Sequence, residues 1–365
     1  MSIMSIIDKW FTRRWAKINE SIWTRLFILT SVMQTILVIV LETRVFERNN
    51  SIRLYVKSFQ NIGDITCKFD SAEQRMLRIE QENFIFIIFQ LYQLWFCFNA
   101  IFAQNTIQLF AITIVNTICS VYSFVQIAEV KIWYTDLNNS CSQKFTKQTN
   151  TKLYDLPLII TLVTFLLLMG FLAFKLYQQF GWKIYKKIGG SPKIQTIYRR
   201  QLILVILLKV DLIFLLLFAI ESWMTFALET KTSQLEHLYY VPRIIYYFHR
   251  IATFLIIILE IIAYRSIKNE WRCGMLIFIF LWMAVIVNLI LVLIFSIRTA
   301  EDSWYFLIVF VSVSIVISTI TWVYSILVTK DFGSELKKIL IQYKEKSSRV
   351  TIDDGSESPR RISID

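Results

Sequence analysis

Five ionisable side chains lie in apolar sequence: Lys209 and Asp211 in QLILVILLKVDLIFLLLFAIE, and His249, Arg250 and Glu260 in the next run, RIIYYFHRIATFLIIILEIIAY. At mid-bilayer each ionised group costs about 2.5 to 3.5 kcal/mol, so such residues pair with one another, line a watery path or carry out chemistry. Acids, cations and an imidazole on consecutive runs are the materials of a proton relay, an ion site or a substrate site. Gln90, Gln93, Asn99, Gln108, Asn116 and Asn288 extend that polar inventory into other apolar runs. The opposing reading is that ion pairs and interhelical hydrogen bonds only fix the packing of a bundle. Both readings stay open at this level.

Soluble-enzyme chemistry finds little material. There are two histidines, no Cys-x-x-Cys, no His-Glu-x-x-His, no Gly-x-Ser-x-Gly and no phosphate-cradling glycine loop. No catalytic residue, metal, cofactor or nucleic-acid partner is expected. Gly189-Gly190-Ser191-Pro192 reads as a turn.

The elements that must position these residues follow from composition. Apolar residues make up 56% of the 365 and charged ones 18%, against roughly 45–50% and 25% in soluble domains. They fall in eight blocks, 22–41, 83–103, 107–130, 156–177, 201–227, 243–264, 273–297 and 304–328. Each is long enough, at about 1.5 Å per residue, to cross a hydrocarbon core of about 30 Å. Backbone polar groups must be paired internally there, so each block must be a helix. The expected fold is all-α, a polytopic bundle of about eight transmembrane helices. The first block begins late and shows no small-residue cleavage site, so it reads as a retained anchor.

Orientation follows Lys and Arg in short loops. The linker 181–200 holds Lys183, Lys186, Lys187, Lys193, Arg199 and Arg200 without an acid, so it is assigned to the cytosol. Counting through eight spans brings both termini to the cytosol as well. The expected organisation is a cytosolic amphipathic segment at 1–21, a transmembrane domain at 22–328 with an exported loop at 42–82, an amphipathic juxtamembrane helix at 329–346 and a disordered tail at 347–365. The basic flanks fit the lipid bilayer and the anionic lipids of its cytosolic leaflet as partners.

On the exported side, Cys67 and Cys141 are available for a disulfide, and Asn138-Asn139-Ser140 is a glycosylation sequon. Ser363, after Arg360-Arg361-Ile362, suits a basophilic kinase. Cys97, Cys119 and Cys273 fall in spans and read as small packing residues. Lys209 and Asp211 lie about 12 to 17 Å into their span and about 200° apart around it. Lys209 is therefore expected to reach toward Glu260, and Asp211 toward Arg250, on the antiparallel neighbour.

Gly181-Trp182-Lys183-Ile184-Tyr185-Lys186-Lys187-Ile188-Gly189 followed by Lys209-Val210-Asp211 resembles an uncharacterised family of fungal Golgi apparatus membrane proteins. Asn105-Thr106-Ile107-Gln108, Gln126 and Asp331-Phe332-Gly333-Ser334-Glu335-Leu336-Lys337 are similar to that family too. The resemblance covers roughly residues 83–340 and implies a multi-helix fold and a Golgi membrane location. It implies no reaction. The functional readings are a structural or regulatory endomembrane protein, an ion-coupled carrier using the five intramembrane charges, and a seven-helix receptor. The expected topology is tested by glycosidase treatment of the tagged protein. A mobility shift abolished by Asn138→Gln and retained in Asn19→Gln is the expected outcome, and a shift that depends on Asn19 reverses the orientation.

Overall fold

The computed structural model describes residues 12, 14–60, 69–140, 151–188, 192–229, 240–298 and 305–333. Cys67, Cys141, Ser363 and the expected tail lie outside the described residues, as do the side chains of Asn138, His249 and Arg250. Among the described residues there are eight long helices and no strand. They are α1 (Ile22–Gln60), α2 (Phe69–Ala103), α3 (Thr106–Ser140), α4 (Thr151–Ile188), α5 (Pro192–Glu229), α6 (Tyr240–Asn269), α7 (Arg272–Arg298) and α8 (Tyr305–Lys330). Seven of them, all but α6, are long and apolar enough over their described residues to cross a membrane.

The helices outrun the apolar blocks. With 39 residues, α1 is about 58 Å long at helical rise, nearly twice the hydrocarbon thickness. The segment 42–82, expected as a loop, is helical over 42–60 and 69–82. Charged residues there do not break the helix, because Val45, Ile52 and the polar Glu42, Arg48 and Asn49 share its buried face. Packing of that face holds the extension in helical form where hydropathy alone reads as a loop.

Helix α1 packs on α2 and α4, and α3 packs on the same two, which closes α1–α4 into a four-membered ring. Helices α5–α8 close in the same way. The rings meet where α2 and α3 touch α5 and where α3 touches α8. Aromatic rings fill this seam, with centroids 5.6 Å apart for Phe89 and Phe214, 5.4 Å for Phe214 and Phe310, and 5.6 Å for Phe310 and Tyr122. Outward faces are apolar and exposed, as at Ile114, Leu167 and Phe280. That is the surface a lipid bilayer wets.

One end of the bundle gathers the start of α1 and the end of α8. Ser21 Oγ donates to Gln179 Oε1 near the end of α4 at 2.9 Å, and Lys17 Nζ donates to the Phe102 carbonyl at 2.6 Å. In the second ring, Arg200 at the start of α5 pairs with Asp331 after α8 at 3.1 Å, and Arg272 donates to the Phe332 carbonyl at 2.8 Å. Since the late part of α3 meets the start of α8 (below), the start of α1 and the end of α8 lie at the same end.

The two tight turns at this end use one device. Gln104 closes α2 at φ 51° and Glu270 closes α6 at φ 55°, and the next N–H bonds back five residues, Asn105 to Ala100 and Trp271 to Ser266. This is the left-handed helix stop usually given to glycine. Past the second turn Gly274 sits so close to the Trp271 ring and the Ser266 hydroxyl that a Cβ would collide with both. Gly274→Ala is expected to cost about 1 to 3 kcal/mol. Thermal unfolding in detergent measures it, and an unchanged Tm contradicts the close approach.

Candidate functional site

Lys209 and Asp211 face different helices, as their angular separation requires. The Lys209 ammonium donates to Asn99 Oδ1 on α2 at 2.6 Å, and the Tyr92 hydroxyl donates to the Lys209 carbonyl at 2.6 Å. Asp211 is fully buried and accepts from Ser318 Oγ at 2.7 Å and from Thr321 Oγ1, both on α8. Ser318 and Thr321 are one turn apart, so α8 presents both hydroxyls to one carboxylate. The expected contact between Lys209 and Glu260 is not made. Helix α2 packs on α5 and brings Asn99 and Tyr92 to Lys209 instead. Glu260 stands on α6 within electrostatic range of Asp211 and Tyr92, and its Oε1 is buried with no partner among the described residues.

A second constellation lies inside the α1–α4 ring. Helix α3 buries Gln108, Asn116, Cys119, Ser123 and Gln126, a spacing of 8, 3, 4 and 3 that keeps one helical face. Its opposite face, Phe110, Ile114, Val121 and Phe124, is exposed and apolar. From Gln108 to Glu129 this polar face rises about 31 Å, the full hydrocarbon depth.

Partners come from both neighbours. Asn116 Oδ1 accepts from Gln34 Nε2 on α1 at 2.7 Å and from Gln93 Nε2 on α2. Gln90 Nε2 lies 3.7 Å from the Cys119 sulfur, and Gln93 Oε1 lies 3.8 Å from it. Nearer the turn, Gln108 Nε2 donates to the Phe96 carbonyl at 3.0 Å and to Asn99 Oδ1 at 3.3 Å, so Asn99 joins this face to Lys209. Asn105 caps α3, its Oδ1 accepting from the Ile107 and Gln108 N–H groups at 3.1 and 3.3 Å.

At the other end the polar face becomes charged. Gln126 Nε2 donates to Asn83 Oδ1 at 3.0 Å, and Asn49 reaches the same oxygen at 3.4 Å. Arg48 on α1 and Asp155 on α4 form a buried ion pair, and Glu42 lies fully buried beside Arg48, Asp155 and Gln126. Glu129 accepts from the Phe306 N–H at 2.7 Å, which puts a carboxylate from α3 on the N-terminus of α8. That contact satisfies an end donor and opposes the positive helix pole.

The two constellations differ in how completely their groups are used. Lys209 and Asp211 have side-chain partners. In the α1–α4 ring Gln34 Oε1, Gln90 Oε1, Gln108 Oε1, Asn116 Nδ2, Ser123 Oγ, Asn83 Nδ2 and both Glu42 oxygens are buried without one among the described residues. Buried polar atoms are normally bonded, and such groups are where ordered water or a ligand binds.

Of the residues singled out from sequence, Gln90, Gln93, Asn99, Gln108 and Asn116 come together, while Asn288 stands on α7 in the other ring. Cys97 and Cys119 are buried, but Cys273 is exposed beside the α6–α7 turn and is not a packing residue. Sequence reasoning missed Gln34, Glu42, Asn83, Ser123 and Glu129. Glu42 lies one residue past an apolar block and counts as loop on hydropathy. No group of three or more metal-ligating side chains occurs among the described residues.

The chain matches no protein-family model and no solved structure. Over 163 residues it is 28% identical to the UPF0658 Golgi apparatus membrane protein of Schizosaccharomyces pombe, a match covering 38% of this chain and 45% of that relative. The match supports the resemblance read from the motifs. It spans less than half of the relative.

A double-mutant cycle tests the Asp211 contact. Asp211→Asn with Ser318→Ala, unfolded in mixed detergent and SDS, is expected to show coupling of about 0.6 to 1.7 kcal/mol. Strict additivity would show that the hydrogen bond contributes nothing to packing.

Proposed function

We propose that this chain, a multi-pass membrane protein related to a Golgi membrane protein of unknown role, is a carrier of a Golgi membrane, with its polar passage inside the α1–α4 ring. One observation carries this reading. The ring is lined from Gln108 to Gln126 by amides and a hydroxyl, and most of them keep an unused polar atom. A purely structural seam would use those atoms, because an unpaired polar group in an apolar setting costs about 1 to 3 kcal/mol.

The charges in α5 serve a different role in this reading. Lys209 ties α5 to α2 through Asn99 and so holds the second ring against the first, while Asp211 ties α5 to α8 within the second ring. Their hydrogen-bonded state supports the packing role weighed against a relay. His249, Arg250 and Glu260 remain candidates for the second ring's own polar centre. Residues 42–60 and 69–82 extend the ring beyond the hydrocarbon as a vestibule, on the exported side in the expected orientation.

Cysteine accessibility tests the passage. In a background with the native cysteines replaced by serine, Ser123→Cys is expected to react with a membrane-impermeant methanethiosulfonate, and Val121→Cys is not. Only a thiol in contact with water ionises and attacks. Val121 is at nearly the same depth on the lipid face. Equal and negligible reaction at both positions means a dry, packed ring and returns the protein to a structural role.

A further inference from the structure

Among the described residues Glu42 is the one carboxylate enclosed by the α1–α4 ring with neither oxygen in hydrogen-bonding geometry. It is 0% exposed, with the Gln126 amide and the Arg48 guanidinium nearby but neither at bonding distance and angle. It lies at the end of the polar face where Gln126 joins Asn83. Its charged surroundings are Arg48 on the same helix and Asp155 on α4, which neutralise each other in their own ion pair. Glu82 and Glu129 follow within one turn on α2 and α3, adding negative charge at the same end.

Burying an ion without a partner is costly, so this carboxylate requires a positive ligand. The oxygens around it rule out most choices. Asp155 is held by Arg48, and Asn83 Oδ1 already accepts from Gln126 and Asn49. A calcium or magnesium ion takes six or more oxygens, and no group of three or more metal-ligating side chains gathers there among the described residues. A proton needs one oxygen. We infer that Glu42 is the proton-binding group of the α1–α4 ring, loading and releasing one proton at the end opposite the α2–α3 turn. The inference rests on the carrier reading and specifies what moves: the carboxylate takes a proton from water at the vestibule and returns it to water along the Ser123 and Asn116 face. No bond other than O–H forms or breaks.

Two experiments decide it. Purified full-length protein is reconstituted in liposomes loaded with pyranine, and proton uptake is driven by a potassium gradient with valinomycin. Glu42→Gln, nearly identical in shape, is expected to lower the rate about 100-fold, while Glu42→Asp keeps part of it. The wild-type protein is also treated with N,N′-dicyclohexylcarbodiimide, which attacks a protonated carboxyl in an apolar site. An adduct on the peptide containing Glu42, together with loss of flux, is expected. This second measurement stands even where Glu42→Gln fails to fold. Wild-type flux in Glu42→Gln, a wild-type protein that moves no protons, or a carbodiimide-treated protein with full flux and no adduct at Glu42 overturns the inference. If Ser123→Cys still reacts with the water-soluble reagent in those cases, the passage stands and only the proton assignment falls. If it does not react, both fall.

Discussion

A bilayer offers no hydrogen-bond partner, and most of this architecture is a response to that one constraint. Backbone groups are satisfied by making every crossing a helix. Side chains have no such general answer, so each polar one must turn inward and find a neighbour. On α3 the result is two opposed faces, with Phe110, Ile114 and Val121 toward lipid and Gln108, Asn116 and Ser123 toward the ring. The ring exists because α1, α2 and α3 all carry such a face, and only closure hides the three together.

The same constraint separates the two halves. The contacts that join them are few and specific: an ammonium on an amide, a carboxylate on a helix N-terminus, and a row of aromatic rings. Hydrogen bonds between membrane helices are individually modest, averaging about 0.6 kcal/mol. The aromatic seam therefore supplies contact area, and the polar contacts set register. The ring interior is arranged the other way, with hydrogen-bonding capacity left over along its length.

The extension past the hydrocarbon gives the ring a charged mouth. Arg48 and Asp155 neutralise each other within it and leave the charge of Glu42 unbalanced by that pair. Breaking a buried pair by removing one partner costs far more than its presence contributes. The Arg48–Asp155 pair thus fixes α1 against α4, and the shape of the mouth follows from it.

Amino-acid sequence alone determined the all-α bundle of long apolar helices, because hydropathy is a local property. It also marked Lys209 and Asp211 as exceptions and showed that they point apart. Their partners were not legible: a lysine on α5 can meet any acid or amide at its depth on either neighbouring helix, and the packing brings its ammonium to Asn99 and not to Glu260. The length of α1 beyond Leu41 was hidden for a similar reason. A charged helical stretch and a charged loop read alike until a neighbouring helix is known to cover one face. Only the tertiary structure decided that Glu42 is enclosed, since burial of a residue just outside an apolar block depends on what four separate helices do together.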